Sequence, residues 1–200
     1  SLMHRAFYAL PMLTNRKGIP TNAVYGFTNM LLKLIDEYKP EYIGVAFDKK
    51  GPTFRHEVYQ EYKATRQKTP EELIPQFDIL KKMLQLMGIA IYEIDGYEAD
   101  DILGTFARIS SEKGIDAYLV TGDRDALQLV SPGVKVIITK KGISDVQIFD
   151  VDEVKREYGL TPLQIIDMKA LMGDSSDNIP GVPGVGEKTA LKLLYEYQSV

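Results

Sequence analysis

Tyr92-Glu-Ile-Asp-Gly-Tyr-Glu-Ala-Asp-Asp-Ile-Leu-Gly-Thr-Phe106 sets three carboxylates, Glu98, Asp100 and Asp101, where an apolar run gives way to residues of helical spacing. The run Ile89-Ala-Ile-Tyr-Glu-Ile94 is short and bounded, as a buried strand is, and a helix is expected from about Glu98. Acidic side chains in a first helical turn are favoured by unpaired N–H groups and the partial positive charge there. That accounts for one or two carboxylates. The third needs another explanation, and the rest of the chain offers one.

The same strand-then-helix grammar recurs. Tyr42-Ile-Gly-Val-Ala-Phe47 reads as a buried strand ending at Asp48, Ala117-Tyr-Leu-Val-Thr121 as one ending at Gly122-Asp123, and Val134-Lys-Val-Ile-Ile-Thr139 as a fourth. Between them, residues 23–38 carry apolar spacing at Val24, Phe27, Leu31, Leu34 and Ile35 and stop before Pro40, while residues 72–87 stop at Gly88. Alternation of this kind implies an α/β fold with one mainly parallel sheet and right-handed crossovers. Ligands in such sheets bind at the carboxyl ends of the strands. Asp48, the Glu98–Asp101 group, and Asp123 with Asp125 are all expected at that edge. Each alone suits a turn or a helix cap; all three at equivalent positions suit a site.

After Asp150 the pattern becomes helical. Residues 151–158 and 161–172 read as helices, the second with Pro162 in its first turn, and a last helix starts at Glu187. The expected organisation is a sheet domain over 1–150, with a bridge-like basic segment at about 50–72, and a small helical module over 151–200.

Composition narrows the chemistry. The 200 residues include no cysteine and two histidines, so thiolate nucleophiles, disulfides and sulfur-ligated metals are excluded and a metal would need oxygen or imidazole donors. No run of about 18 apolar residues occurs and the opening segment is too interrupted for a signal sequence, so a cytosolic setting without membrane partners is expected. A net charge of −4 argues by itself against nucleic acid. Its distribution argues the other way: Lys49, Lys50, Arg55, Lys63, Arg66 and Lys68 share one short segment with Phe54, Tyr59 and Tyr62.

Converging carboxylates repel unless something positive sits among them, and an all-oxygen set suits Mg²⁺ or Mn²⁺. More carboxylates than one ion takes suggest two ions, which about 4 Å apart clamp the attacking and leaving oxygens of a phosphodiester hydrolysis. Asp174 and Asp177 could complete the second ion site. Lys63 and Arg66, three apart, would reach the phosphate together from one helix face, and Tyr62 could stack on a base. Gly184-Val-Gly-Glu-Lys-Thr-Ala190 places two glycines before a helix, leaving backbone N–H groups of Gly184 and Gly186, with Lys188 and Thr189, for a phosphate.

Phe47-Asp-Lys-Lys-Gly-Pro-Thr-Phe-Arg55, Tyr62-Lys-Ala-Thr-Arg66, Gly96-Tyr-Glu-Ala-Asp-Asp101, Thr121-Gly-Asp-Arg-Asp125 and the long run from Leu171 to Ala190 resemble, in order and over nearly the whole chain, the 5′-nuclease family of flap endonucleases, which includes the 5′-nuclease domain of bacterial DNA polymerase I. The resemblance implies a PIN-like sheet, a helical arch and a helix-three-turn-helix module of helix-hairpin-helix type, with K⁺ at the hairpin. It implies 5′→3′ exonuclease and flap-endonuclease cleavage of branched or nicked duplex DNA in primer removal and repair, by a bacterial cytoplasmic monomer whose parent is also a DNA polymerase. By position, Asp48, Glu98 and Asp100 would hold the first ion, with Asp101 a neighbour. Asp123, Asp125, Asp174 and Asp177 would serve the second, Lys63 and Arg66 the scissile phosphate, and Arg5 another phosphate. In that family the opening segment follows a buried strand ending in a metal-binding aspartate, which this chain does not contain; the expectation is of a fragment less stable and less active than an intact domain. Two other readings compete: a DNA-binding module without catalysis, and a haloacid-dehalogenase-like phosphatase with Asp123 as nucleophile, which leaves Glu98 and the glycine hairpin unexplained.

Overall fold

The computed structural model describes residues 1–140 and 145–200. In chain order it contains α1 (Leu2–Ala9), α2 (Asn22–Tyr38), β1 (Gly44–Ala46), α3 (Phe54–Val58), α4 (Ile74–Leu86), β2 (Ala90–Tyr92), α5 (Ala99–Lys113) and β3 (Ala117–Thr121). A 3₁₀ helix (Arg124–Leu129), β4 (Val134–Thr139), β5 (Val146–Phe149), α6 (Val151–Tyr158), α7 (Gln164–Met172), the two-residue β6 (Gly173–Asp174) and β7 (Ile179–Pro180), and α8 (Glu187–Tyr197) follow.

The strand–helix alternation is as the apolar runs imply. β1 and β2 pair in parallel, and so do β3 and β4, with β5 added antiparallel to β4. One expectation changes: the strands form two hydrogen-bonded sheets, β1-β2 and β3-β4-β5, instead of one. Among the described residues no strand pairs with both β1 and β3, so each keeps one edge without a ladder partner. The register of β1 depends on Gly44, because a Cβ there would stand 2.7 Å from the Tyr92 ring.

Two apolar cores result. One gathers Met3, Phe27, Met30, Leu31, Phe47, Leu73, Leu80 and Leu84 from α1, α2, α4 and the end of β1. Within it Gln76 is fully buried and fully used: its oxygen accepts the N–H groups of Ala23 (2.8 Å) and Val24 (3.2 Å) at the start of α2, and its amide donates to Asn22 Oδ1 (3.0 Å). A side chain from α4 thus supplies the partners that a helix start lacks. The other core joins Leu119, Leu127, Val134, Val136 and Phe149 of the three-stranded sheet to Val154, Leu160, Ile165, Ala190 and Leu194 of the last three helices. Packing therefore runs uninterrupted through Asp150, where the sequence suggests a domain boundary, and the helical module and its sheet are one packed unit.

Candidate active site

Acidic side chains follow the strands as the apolar runs imply. Asp48 follows β1 and its carboxylate accepts the backbone N–H of Ala99 at 2.7 Å, so it sits at the start of α5 beside Asp100. Glu98 is the residue before that helix and is buried. Asp123 follows β3 and caps the 3₁₀ helix by accepting the N–H of Asp125 at 3.0 Å. Asp100 retains solvent access, yet the protein mass around its carboxyl, and then the charges of Asp123 and Asp48, push its pKa up to about 6. Carboxylates from β1, α5 and β3 are thus close enough to feel one another.

The remaining carboxylates face cations. Lys63 Nζ lies 2.7 Å from Glu98 Oε1, and Arg66 Nη2 2.5 Å from Asp177 Oδ1. Lys169 of α7 bridges Asp125 (2.7 Å) and Asp174 (2.9 Å). Burial alone would raise Asp174, but hydrogen bonds from Ser176 and Lys169 outweigh it and hold the group at about 2. Burial raises Asp125 despite the ion pair that Lys169 makes to its Oδ1. As these side chains stand, no three acidic or histidine side chains among the described residues are grouped to hold one metal ion. Mutual repulsion and the available cations explain the spreading: Lys63 neutralises Glu98, Arg66 neutralises Asp177 and Lys169 is shared by Asp125 and Asp174, while Asp48, Asp100 and Asp123 form no ion pair among the described residues. The donor set nonetheless fits a hard divalent cation, being all carboxylate, with Asp100 crowded by the charges of Asp123 and Asp48.

Three sequence expectations are revised by this geometry. Asp101, expected as a neighbour of the first metal, is engaged elsewhere: Arg55 grips it through both nitrogens at 2.7 and 2.8 Å, and its carboxylate also accepts the Glu98 N–H at 2.9 Å. The hydrogen bond from Arg55 holds the Asp101 carboxyl below the usual range. It closes the helix start and anchors α3. Tyr62, expected to stack on a base, is buried, with its hydroxyl 3.1 Å from Glu98 and 3.0 Å from Asp177; burial and then those two charges raise its pKa. The bridging segment is not a helix throughout: only five residues, α3, are helical, and turns cover 60–65. Lys63 has φ +58°, which ends any helix, because its N–H is taken by the carbonyl of Asp177 at 2.9 Å. Lys63 and Arg66 converge on the acidic edge through that turn and not through helical spacing.

Arg5 also lies at the strand ends, but its guanidinium donates to the carbonyls of Gly122 (2.5 Å), Thr139 (2.7 Å) and Lys140 (3.3 Å). It ties α1 to the carboxyl ends of β3 and β4. Gly122 lets it lie flat there, since a Cβ would stand 2.1 Å from its Nε. Lys169 was missed by sequence reading, although a lysine five residues ahead of Asp174 on a helix was a signal. The glycine hairpin is exposed at Gly184, Gly186, Lys188 and Thr189, with Gly184 at φ +80° and Gly186 at the start of α8. Lys188 forms no ion pair among the described residues.

An acidic edge at the carboxyl ends of parallel strands, spanned by a basic segment and backed by a glycine-hairpin module, is the arrangement of a phosphodiester-cleaving nuclease. The chain belongs to the 5′-3′ exonuclease family: the family's N-terminal resolvase-like domain matches residues 1–159 and its C-terminal SAM fold residues 160–200. It is 55% identical over all 200 residues to DNA polymerase I of Bacillus caldotenax, of which it spans 23%. Among solved structures it is similar to T5 5′-exonuclease with bound zinc (TM-score 0.73, 26% identity, 88% of this chain and 67% of that one). A bacteriophage T5 flap endonuclease in a pseudo-enzyme–product complex with DNA and metal ions matches equally well (TM-score 0.73, 26% identity, 88% and 68%).

Proposed function

We propose that this chain is the part of a bacterial DNA polymerase I that removes 5′ ends, hydrolysing phosphodiesters 5′→3′ and cutting 5′ flaps during primer removal and repair, in the cytoplasm and as a monomer. The observation that carries it is the set of carboxylates delivered to one edge from β1, α5, β3 and the loop after α7, spanned by Lys63 and Arg66. Two Mg²⁺ or Mn²⁺ ions fit the donors, Asp48, Glu98 and Asp100 for one, and Asp123, Asp125, Asp174 and Asp177 for the other. Bound there, they would polarise the phosphate and supply hydroxide near neutral pH.

The chain's own residues do the rest. Lys63 and Arg66 leave Glu98 and Asp177 for the non-bridging oxygens of the scissile phosphate, where their charge opposes the charge that develops. Glu98 and Asp177 are freed by the same movement. Tyr62, with its proton firmly held, keeps a hydroxyl donor at the inner end of the segment. Gly184 and Gly186 offer N–H groups at the start of α8, with Lys188 and Thr189 beside them, to the backbone of a nicked or branched duplex, without reading bases, and K⁺ could share that hairpin.

A 5′-flap substrate with Mg²⁺ tests this reading. Asp123→Ala should lower cleavage by at least about 100-fold, given what loss of even an outer support costs a metal site. Cleavage retained in that variant would refute the metal assignment.

A further inference from the structure

The 59–66 segment is seated by the loop after β6, and one side chain there has its hydrogen bond to that segment and to no other among the described residues. Asn178 donates from its amide Nδ2 to the backbone carbonyl of Glu61 at 2.8 Å. Its φ of +58° is a left-handed conformation that asparagine tolerates better than most residues. One residue back, the carbonyl of Asp177 accepts the N–H of Lys63, itself at φ +58°, at 2.9 Å. Two backbone groups of the basic segment, two residues apart, are thereby pinned by two consecutive residues of the acidic loop. Arg66 adds a weaker third tie, from Nε to the carbonyl of Ser176 at 3.4 Å.

We propose that Asn178 is a positioning residue: by holding the Glu61 carbonyl it seats the Tyr62–Lys63 turn, so that Lys63 stands over Glu98 and Arg66 over Asp177. The left-handed bend at Lys63 is local strain that the loop stabilises from outside. Without the Asn178 amide the segment keeps its ion pairs but loses the bond that fixes their direction, and it opens more often. The consequence for catalysis rests on the proposed nuclease reading; the seating itself does not.

Trypsin measures the seating directly, because Lys63 and Arg66 are both cleavage sites and the rate follows the open population when reclosing is fast. Asn178→Asp keeps the shape and the tolerance for positive φ but has no donor; Asn178→Gly keeps the backbone freedom and removes the side chain. In the 200-residue chain both should accelerate cleavage after Lys63 and Arg66 about fivefold, as loss of one hydrogen bond implies. Cleavage after Arg108, within α5, should stay unchanged, and the melting temperature should fall by no more than about 2–4 °C, the share of one hydrogen bond. Unchanged rates after Lys63 and Arg66 would overturn the proposal, and so would an equal acceleration after Arg108, which would mean general loosening. On a 5′-flap substrate the seated segment predicts a fall in kcat with KM nearly constant, a split that mere destabilisation does not give. If the unaltered chain cuts no DNA, the nuclease reading falls while the protease result still decides the role of Asn178.

Discussion

The core around α4 and the core around β4 meet at the acidic edge, but they reach it differently. The first is built from helices over a two-stranded sheet and contains a buried polar cluster, Gln76 with Asn22, that must be fully paired. The second is a three-stranded sheet covered by three helices, apolar almost throughout, with Phe149, Val134 and Val136 wholly buried. Each contributes carboxylates, Asp48 and the Glu98 group from one side, Asp123, Asp125 and Asp174 from the other. What crosses between them near the site is polar: Lys63 and Tyr62 reaching Glu98 and Asp177, and Arg5 reaching Gly122 and Thr139. The molecule therefore places its chemistry on a seam between two bodies, where ion pairs can be exchanged without opening either core.

Phe149→Ala should have the largest effect on that contrast. A cavity at a fully buried aromatic costs about 3–5 kcal/mol, and because α8 packs on the same core its amides should lose hydrogen-exchange protection together with β4. Protection in α8 that survives while β4 loosens would break the claim that sheet and module are one unit. A middle-sized effect is expected from Lys169→Met, which strands Asp125 and Asp174 without their shared cation. Allowing for partial exposure, the loss is about 1–3 kcal/mol in a chelator-treated sample. Mg²⁺ should then raise the melting temperature of the variant more than that of the unaltered chain, and equal shifts would remove those two carboxylates from the metal set.

The smallest effect is a pH trend at Asp100. Its pKa of about 6 exceeds the ordinary 3.8, so the folded chain holds that proton more tightly than the unfolded chain does. In chelator the contribution to stability is present in full below the ordinary value and is lost as pH rises through about 6. Asp100→Asn should flatten this part of a melting-temperature profile between pH 4 and 7, and added Mg²⁺ should reverse its sign, because the cation favours the carboxylate. A profile that the substitution leaves unchanged would show that neither burial nor the charges of Asp123 and Asp48 raise this group.

Much of this was legible in the sequence. The helix from 23 to 38 emerged as α2, Asn22–Tyr38, because its apolar spacing and Pro40 fix both face and end. The helix expected from Glu187 begins there, after the glycine pair. The acidic residues lie where the rule for strand ends puts them. What could not be read were features decided by tertiary partners. α1 buries only Met3 and Ala6 and shows too short a pattern to stand out. Lys63 leaves helical geometry for a carbonyl more than a hundred residues away. Tyr62 resembles an exposed stacking group until its hydroxyl is seen between two carboxylates, and Asp101 resembles a ligand until Arg55 is beside it.

Gly173 and Gly181 lie back to back where the chain leaves α7 and returns through β7. A Cβ on Gly173 would stand 2.4 Å from the N of Gly181, and one on Gly181 2.3 Å from the carbonyl carbon of Met172. At that separation the two segments can neither slide nor be spaced apart by any other residue. Asp174 immediately follows one glycine and the hairpin at Gly184 closely follows the other. In a nuclease of the proposed kind this crossing is a ruler: the interval between the phosphate that is gripped and the phosphate that is cut is written in backbone contact.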